Sequence, residues 1–371
     1  MTRLHVLQSD PRLLPKDFWT SSTCELMVIA RWAQDRPQEV TWLQNNLPDL
    51  PKHVWLSTSG TLATPGASQW IAISKEALLV NAESVNHHLS AQKNETWGLT
   101  LPLAHVGGLG IIARAHLLGQ NVIGLTPSGW DPERIATGAW DGQLLSLVPT
   151  QVHDLVKNQL KPPASLRAVV VGGDRLSPEL YQQARDLGWP LLPSYGLTEC
   201  GSQIATATEN QTSLQLLSHV KATTDQDDRL WLESAALFTG KADILFDQLT
   251  WQPRPAGAWA TQDRAEIQNE QLTLLGRMDQ VVKVRGEKVD LSSLEAQLQQ
   301  KFNNTLIIIS LTDERDGAAL WAVSEELLTL EALNEGLLPH QKIRGVHLVE
   351  SFPRTALGKI RRGEIKSQLE R

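Results

Sequence analysis

The sequence predicts an α/β protein with a small α+β appendage, and three observations carry that prediction. Between about residues 54 and 200, short apolar strands alternate with amphipathic helical stretches. Between about 211 and 275 the rhythm changes to short strands parted by polar turns, and from 277 onward a second strand-helix unit begins. The first pattern implies a mainly parallel, helix-covered sheet and the second an antiparallel or barrel-like sheet beside it, both in a large N-terminal domain. The third implies a small C-terminal α+β domain. The expected division is 1–276 and 277–371, with its boundary near "LGRMDQ".

Each element has its own reason. "HVWLS" is an apolar strand that runs into the Ser/Gly-rich loop "STSGTLATPG", and "SKEALLVNAESVNHHLSA" places Leu78, Ala82, Val85 and Leu89 on one helical face. "WGLTLPL", "NVIGL", "QLLSLVPT", "LRAVVVGG" and "WPLLPSYG" read as strands, whereas "GGLGIIARAHLLG", "PTQVHDLVKNQL" and "SPELYQQARDLG" read as helices. The strands of the changed rhythm are "LQLLSHVKA", "DRLWLESAAL", "ADILFDQLTW", "AWATQD" and "EIQNEQLTLLG". Beyond them come the strand "QVVKV", a turn at "RGEKVD", and a helix whose start offers Ser292 and Glu295 as a capping box. "TLIIISL", "ALWAVS" and "GVHLVES" are strands, "EELLTLEALNEGL" is a helix, and "FPRTALGKIRRGEIK" is a basic tail.

Composition narrows the function. The chain has 371 residues, 41% apolar and 20% charged, enough for a large core plus a smaller one. A net charge of -7 argues against an extended nucleic-acid surface, which needs excess Lys and Arg. "MTRLHVLQSDPRLLP" has no uninterrupted apolar run, so no signal peptide is expected. In the most apolar stretch, Arg114, His116 and Gln120 would be costly at a bilayer centre, so no membrane span is expected either. Two cysteines, Cys24 and Cys200, are too few for a disulfide framework and fit a cytoplasmic location. His87 and His88 lie on a helix with no further ligand pattern, and read as solvated or packed rather than metal-binding.

In parallel sheets, ligands collect at the carboxyl ends of the strands. "STSGT", "PLAHVGG", "VVVGGD" and "PSYGLTE" each follow an apolar strand and so can meet along one edge. The hydroxyls and glycines of 57–61 suit either a flexible turn or a phosphate cradle. No G-x-x-x-x-G-K-[ST] occurs, so the loop is not a P-loop of that type.

Five segments in this order and spacing resemble the acyl-adenylate-forming superfamily of acyl- and aryl-CoA ligases, luciferases and peptide-synthetase adenylation domains. They are "STSGTLATPG", "VVVGGDRLSPEL", "SYGLTE", "WATQD…LLGRMDQVVKVRGEKVDLSSLE" and "FPRTALGKIRR", together spanning about residues 54–365. "PLAHVGGLG" and "SYGLTECGSQIAT" look most like the branch that activates o-succinylbenzoate on the menaquinone or phylloquinone route. The resemblance implies ATP, Mg²⁺ and coenzyme A as small-molecule reactants and cofactor. A carboxylate would take AMP from ATP, and the thiol of coenzyme A would then displace the AMP.

The resemblance also implies roles for particular residues. Thr58, Ser59, Gly60 and Thr61 would hold the outer phosphates; Gly172, Gly173, Ser194, Tyr195 and Gly196 would receive the adenine, with Tyr195 stacked on it. Thr198 would contact the α-phosphate, Glu199 would hold Mg²⁺, and Asp263 would accept from the ribose hydroxyls beside Arg277. Lys359 would bridge the reacting carboxylate and phosphate. Asp279 would be the hinge that later brings Lys283 and Gly286 to a coenzyme A tunnel, and His105, Gly107, Gly108, Ser202 and Gln203 would line the acid pocket. The phosphate loop departs from the family's usual T-S-G-T-T-G-x-P-K-G at Leu62, Ala63 and Gly66, which removes a cation near the outgoing pyrophosphate. Residues 1–50 read as a compact remnant of a longer N-terminal subdomain. A ligase for another acid and a catalytically decayed nucleotide-binding protein fit the same residues.

Overall fold

The computed structural model describes residues 4–8, 14–58, 67–126, 129–137, 140–245, 247–355, 358 and 360–370. Among these, five strands run parallel in the spatial order Asn121–Gly124, Thr96–Leu99, Leu144–Leu147, Ala168–Val171 and Leu191–Leu197. Thr96–Leu99, Leu144–Leu147 and Ala168–Val171 are apolar at nearly every position because both faces are buried, whereas the edge strand Asn121–Gly124 is largely exposed. Ala168 and Val170 face one core while Val169 and Val171 face the other. The helices Pro149–Lys157 and Pro178–Asp186 cover the second face through Val152, Leu155 and Ala184. Ser177 starts the latter helix, its hydroxyl accepting from Leu180 N at 3.1 Å ahead of Pro178.

The first face is covered by Lys75–His88 and Val106–Leu118, which lie between this sheet and a second one. The second sheet has the order His5–Gln8, Glu25–Val28, His53–Ser57, Ala67–Ser74, Gly240–Leu245 and Gln248–Pro253. The stripe expected on the first helix is fully inside: Leu78, Ala82, Val85 and Leu89 are all at most 5% exposed. Ser74 caps that helix at Ala77 N, and Gly119 ends its neighbour in the left-handed region at φ 63°.

The strands of the changed rhythm do not close into a separate barrel. Ser202–Ala207 pairs antiparallel with Leu191–Leu197, and Leu214–Leu216, Gln271–Arg277, Trp259–Gln268, Arg229–Glu233 and Lys221–Thr224 continue from it, extending the parallel sheet into one of eleven strands among the described residues. The hairpin Gly240–Leu245 and Gln248–Pro253 leaves this group for the second sheet, where Gly240–Leu245 pairs with Ala67–Ser74.

From Val281 the chain builds cores of its own. A hairpin of Val281–Val284 and Glu287–Asp290 leads into the helix Leu291–Phe302, and three strands follow: Leu306–Asp313, Gly317–Ser324 and Ile343–Leu348. The expected capping box is not used. Asp290, two residues earlier than Ser292, accepts from Ser292 N and Ser293 N. Glu295 instead accepts from Ile308 N and pairs with both Nη atoms of Arg362. The helix expected over 325–337 shrinks to Leu330–Asn334, because Leu327 is 82% exposed and Leu330 also lacks a core to face. The tail adds a helix, Arg362–Leu369, seated by Ile365. No helix among the described residues is long and apolar enough to cross a membrane.

Candidate active site

The carboxyl ends of the parallel strands bring three of the glycine- and hydroxyl-bearing loops together. Gly172 follows Ala168–Val171 and lies against Ser194: a Cβ there would stand 2.7 Å from the Ser194 hydroxyl, which itself donates to Val171 O at 3.0 Å. Gly173 has φ 88°, a conformation natural to glycine. Gly196 approaches the next strand so closely that a Cβ would fall 2.0 Å from Ser202 O. The result is a backbone-lined surface with no side chain across it at 172 and 196.

Tyr195, on the same strand, is 9% exposed, and its hydroxyl donates to Asp263 Oδ2 at 2.6 Å. Burial, with Asp263 adding, pushes its phenol well above the ordinary range, so it remains a donor. Asp263 sits opposite Arg277 in the pairing of Trp259–Gln268 with Gln271–Arg277, and Arg277 Nη1 approaches Asp263 Oδ1 at 3.4 Å. The guanidinium also clasps Asp279 through Nε and Nη2, each at 2.9 Å. Both oxygens of Asp263 are therefore oriented, on a side chain 11% exposed.

Thr198 and Glu199 form a single 3₁₀ turn between two strands, and Glu199 O accepts from Phe238 N at 2.8 Å. Burial pushes the Glu199 carboxyl up and Asp263 adds to it, while Arg277 and Lys241 oppose. A carboxyl desolvated beside another carboxylate is a site that a cation stabilises. Glu199 and the Thr198 hydroxyl are hard oxygen donors, the type Mg²⁺ takes, so these residues fit that ion with other ligands supplied by phosphates and water. No group of three His, Cys, Asp or Glu side chains suited to a metal occurs among the described residues. His88 instead bonds Ala207 O through Nε2. Thr58 closes the strand His53–Ser57, its N–H donating to Gln69 O at 3.0 Å. Ser59, Gly60, Thr61 and Lys359 lie outside the described residues.

The acid-pocket residues gather around the start of Val106–Leu118. His105 is its N-cap and Gly107 and Gly108 its first turn; a Cβ on Gly108 would stand 2.3 Å from Pro102 O. Ser202 and Gln203 are buried on the facing strand, Ser202 at φ 133°, with Asn81 Nδ2 donating to Gln203 O at 2.7 Å. On the same helix stands a residue that sequence reasoning passed over. Arg114 is 1% exposed, lies 5.3 Å over the Trp97 ring and donates to the Ser202 hydroxyl at 3.4 Å. Among the described residues its Nε and Nη1 have no hydrogen-bond partner and no carboxylate pairs with it. Burial pulls its guanidinium down to about 9. Arginine is almost never fully buried unpaired, so its place in "GLGIIARAHLLG" was the available signal. Lys283 and Gly286 are exposed on the C-terminal hairpin, Gly286 at φ 83°.

Fold and site thus define an α/β protein with glycine- and hydroxyl-bearing loops gathered at the carboxyl ends of its parallel strands. The family model for AMP-binding enzymes matches residues 51–226, in line with the resemblance to the acyl-adenylate-forming superfamily. The chain's similarities within that superfamily run to 2-succinylbenzoate–CoA ligases. That of Escherichia coli K12 is 31% identical over 64% of this chain and 50% of its own length. The chain spans about half the length of the first curated relatives it matches. Among solved structures, wild-type E. coli MenE with a bound m-phenylether-linked analogue of OSB-AMS is 25% identical, with a TM-score of 0.67 and coverage of 85% of this chain and 69% of that one. The O-succinylbenzoate coenzyme A synthetase of Bacillus subtilis, in complex with ATP and magnesium ion, is 18% identical, with a TM-score of 0.70 and coverage of 84% and 69%.

Proposed function

We propose that this chain is an AMP-forming acid–CoA ligase whose acid is o-succinylbenzoate or another aromatic acid with a second carboxylate. The observation that carries the reading is Arg114. A guanidinium buried without an anion is costly, and the cost is removed when a carboxylate enters beside it. Ser202, which already accepts from Arg114, would be the neighbouring hydroxyl for that group. Benzoate itself would leave Arg114 unpaired. The naming of the relatives and the OSB-AMS analogue in the E. coli structure support the same acid.

In the proposed reaction the substrate carboxylate attacks the α-phosphorus of ATP, forming an acyl-phosphate bond as the bond to pyrophosphate breaks. The thiol of coenzyme A then attacks the acyl carbon and AMP leaves with the bonding pair. No protein nucleophile is needed, so the chain's work is alignment and charge neutralisation. Asp263, held by Tyr195 and Arg277, would accept from the ribose hydroxyls, and the surface at Gly172, Gly173 and Gly196 would receive the adenine. Thr58 with Ser59, Gly60 and Thr61 would hold the outer phosphates. Mg²⁺, held by Glu199, would supply charge for the phosphate oxygens. Lys359 would neutralise the reacting phosphate, and rotation about Asp279 between domains 1–276 and 277–371 would exchange it for the face of Lys283 and Gly286.

The test is acyl-CoA formation from ATP, Mg²⁺ and coenzyme A with o-succinylbenzoate or with benzoate, parent beside Arg114→Met. The parent is expected to prefer the dicarboxylic acid strongly and the variant to lose that preference. Equal use of both acids by the parent overturns the assignment.

A further inference from the structure

Asp263 and Arg264 are neighbours on one strand, and neighbouring strand residues face opposite ways. Asp263 turns to Tyr195, whereas Arg264 turns to the C-terminal unit. Its Nη1 donates to Asp290 Oδ2 at 2.7 Å and its Nη2 to Asp228 Oδ2 at 3.2 Å. The Arg264 and Asp290 side chains are only 19% and 21% exposed, so this pair is less screened than a surface bridge. Asp290 Oδ1 meanwhile accepts from Ser292 N and Ser293 N, which ties the same carboxylate to the start of Leu291–Phe302. Opposite Arg264 on the next strand is Gly276, at φ 130°; a Cβ there would touch Ser292 Cβ at 3.4 Å, so the helix start sits directly on the sheet.

A second bridge, Lys288 to Asp227 at 3.1 Å, joins the same two units, but both side chains are about two-thirds exposed and it contributes little. At the far end of the C-terminal unit, Gly358 lies against Thr150, where a Cβ would be 2.6 Å from Oγ1. Arg264 thus makes the less exposed of the two ionic ties, among the described residues, between Trp259–Gln268 or its turn neighbours and the hairpin that follows Asp279.

We propose that Arg264 is a positioning residue for acyl-adenylate formation: by bridging Asp228 and Asp290 it clamps the helix Leu291–Phe302 onto the large sheet, and so holds the tail around Gly358 against the strand ends. The clamp must open for the C-terminal unit to turn about Asp279. Its catalytic consequence rests on the ligase reading, whereas its effect on the relative placement of the two units does not. Arginine suits the post because two separate Nη atoms reach two carboxylates; a lysine ammonium cannot span both in that geometry.

The experiment has two arms. In the first, spin labels at Glu179→Cys and Glu350→Cys report the distance between the units in parent, Arg264→Gln, Arg264→Lys and Asp290→Asn proteins; the native Cys24 and Cys200 are buried. Asn is as good a helix cap as Asp, so Asp290→Asn removes the charge and keeps the cap. Loss of a hydrogen-bonded charge shifts such an equilibrium by about tenfold or more, so a new distance population is expected in Arg264→Gln and Asp290→Asn, with a smaller one in Arg264→Lys. An unchanged distribution in both charge-removing variants overturns the clamp. In the second arm, Arg264→Gln is expected to slow pyrophosphate release about tenfold while thioester formation from preformed acyl-adenylate is preserved; equal slowing of both steps overturns the positioning role. A parent that releases no pyrophosphate at all strikes the ligase reading, with the distance arm still deciding the clamp.

Discussion

The Tyr195 hydroxyl and Asp263 Oδ2 lie 2.6 Å apart, joined by a hydrogen bond across residues 68 positions distant in the chain. The proposed adenine and ribose partners are therefore one unit, and Arg277 completes it from the paired strand.

Asp263→Ala removes the acceptor proposed for the ribose and leaves the Tyr195 hydroxyl and Arg277 without it. Hydrogen bonds to charged groups are worth about 1.5–3 kcal/mol, so ATP affinity should fall by about 10- to 100-fold. Tyr195→Phe should weaken it less, since Arg277 still orients the carboxylate. Calorimetric titration with ATP and Mg²⁺ is the check, and an unchanged affinity for Asp263→Ala would falsify the ribose role.

Arg114→Met should stabilise the ligand-free protein by about 1–4 kcal/mol, since an apolar side chain of similar length replaces a buried unpaired charge. Burial pulls its folded value down to about 9, below the ordinary arginine range. The penalty is thus full and constant below about 9 and eases as pH rises above it. Urea midpoints of parent and variant should differ most at neutral pH and converge above pH 9. A variant less stable than the parent at pH 7 contradicts the argument.

His219 receives Asn81 Nδ2 at 3.1 Å, and burial pushes its imidazole down to about 4 from 6.5. Folding keeps this ring neutral, so its share of stability is present above about 6.5 and is lost as pH falls toward 4. Between those limits the parent's urea midpoint should drop more steeply than that of His219→Gln. Parallel curves would remove His219 from the account.

For Lys359→Ala, adenylation measured as pyrophosphate release should fall by about 10² to 10³, the range for one preorganised charge. Conversion of preformed acyl-adenylate to thioester should be nearly retained. Comparable losses in both steps would mean that the lysine does not leave the site between them.

Much of this architecture is legible along the chain where burial has a simple period. The strands at 144–147 and 168–171 are apolar at every position but Ser146 because helices cover both faces, and the Leu78, Ala82, Val85, Leu89 stripe is a helix face with nothing to contradict it. The misread segment at 325–337 has the leucines of a helix, but Leu327 and Leu330 are exposed while Leu328, Leu333 and Leu337 pack on a core. The site is legible as a set of loops but not as an arrangement. Asp263 meets Arg277 through strand register, with a bulge just after Arg264, and register does not follow from propensity. Arg114 was hidden because an apolar helix reads as core, and its one cation served only to exclude a bilayer.

The near-contact of Gly196 with Ser202 O, 2.0 Å from where a Cβ would be, sets how this protein could be redesigned. The two proposed pockets are separated there by a single thickness of main chain, with no side chain to trade. Variation on that wall would deform both pockets together. A change of acid preference that spares the nucleotide must come from the opposite wall, the helix carrying Gly107, Gly110 and Arg114, which makes that helix the place to build a library.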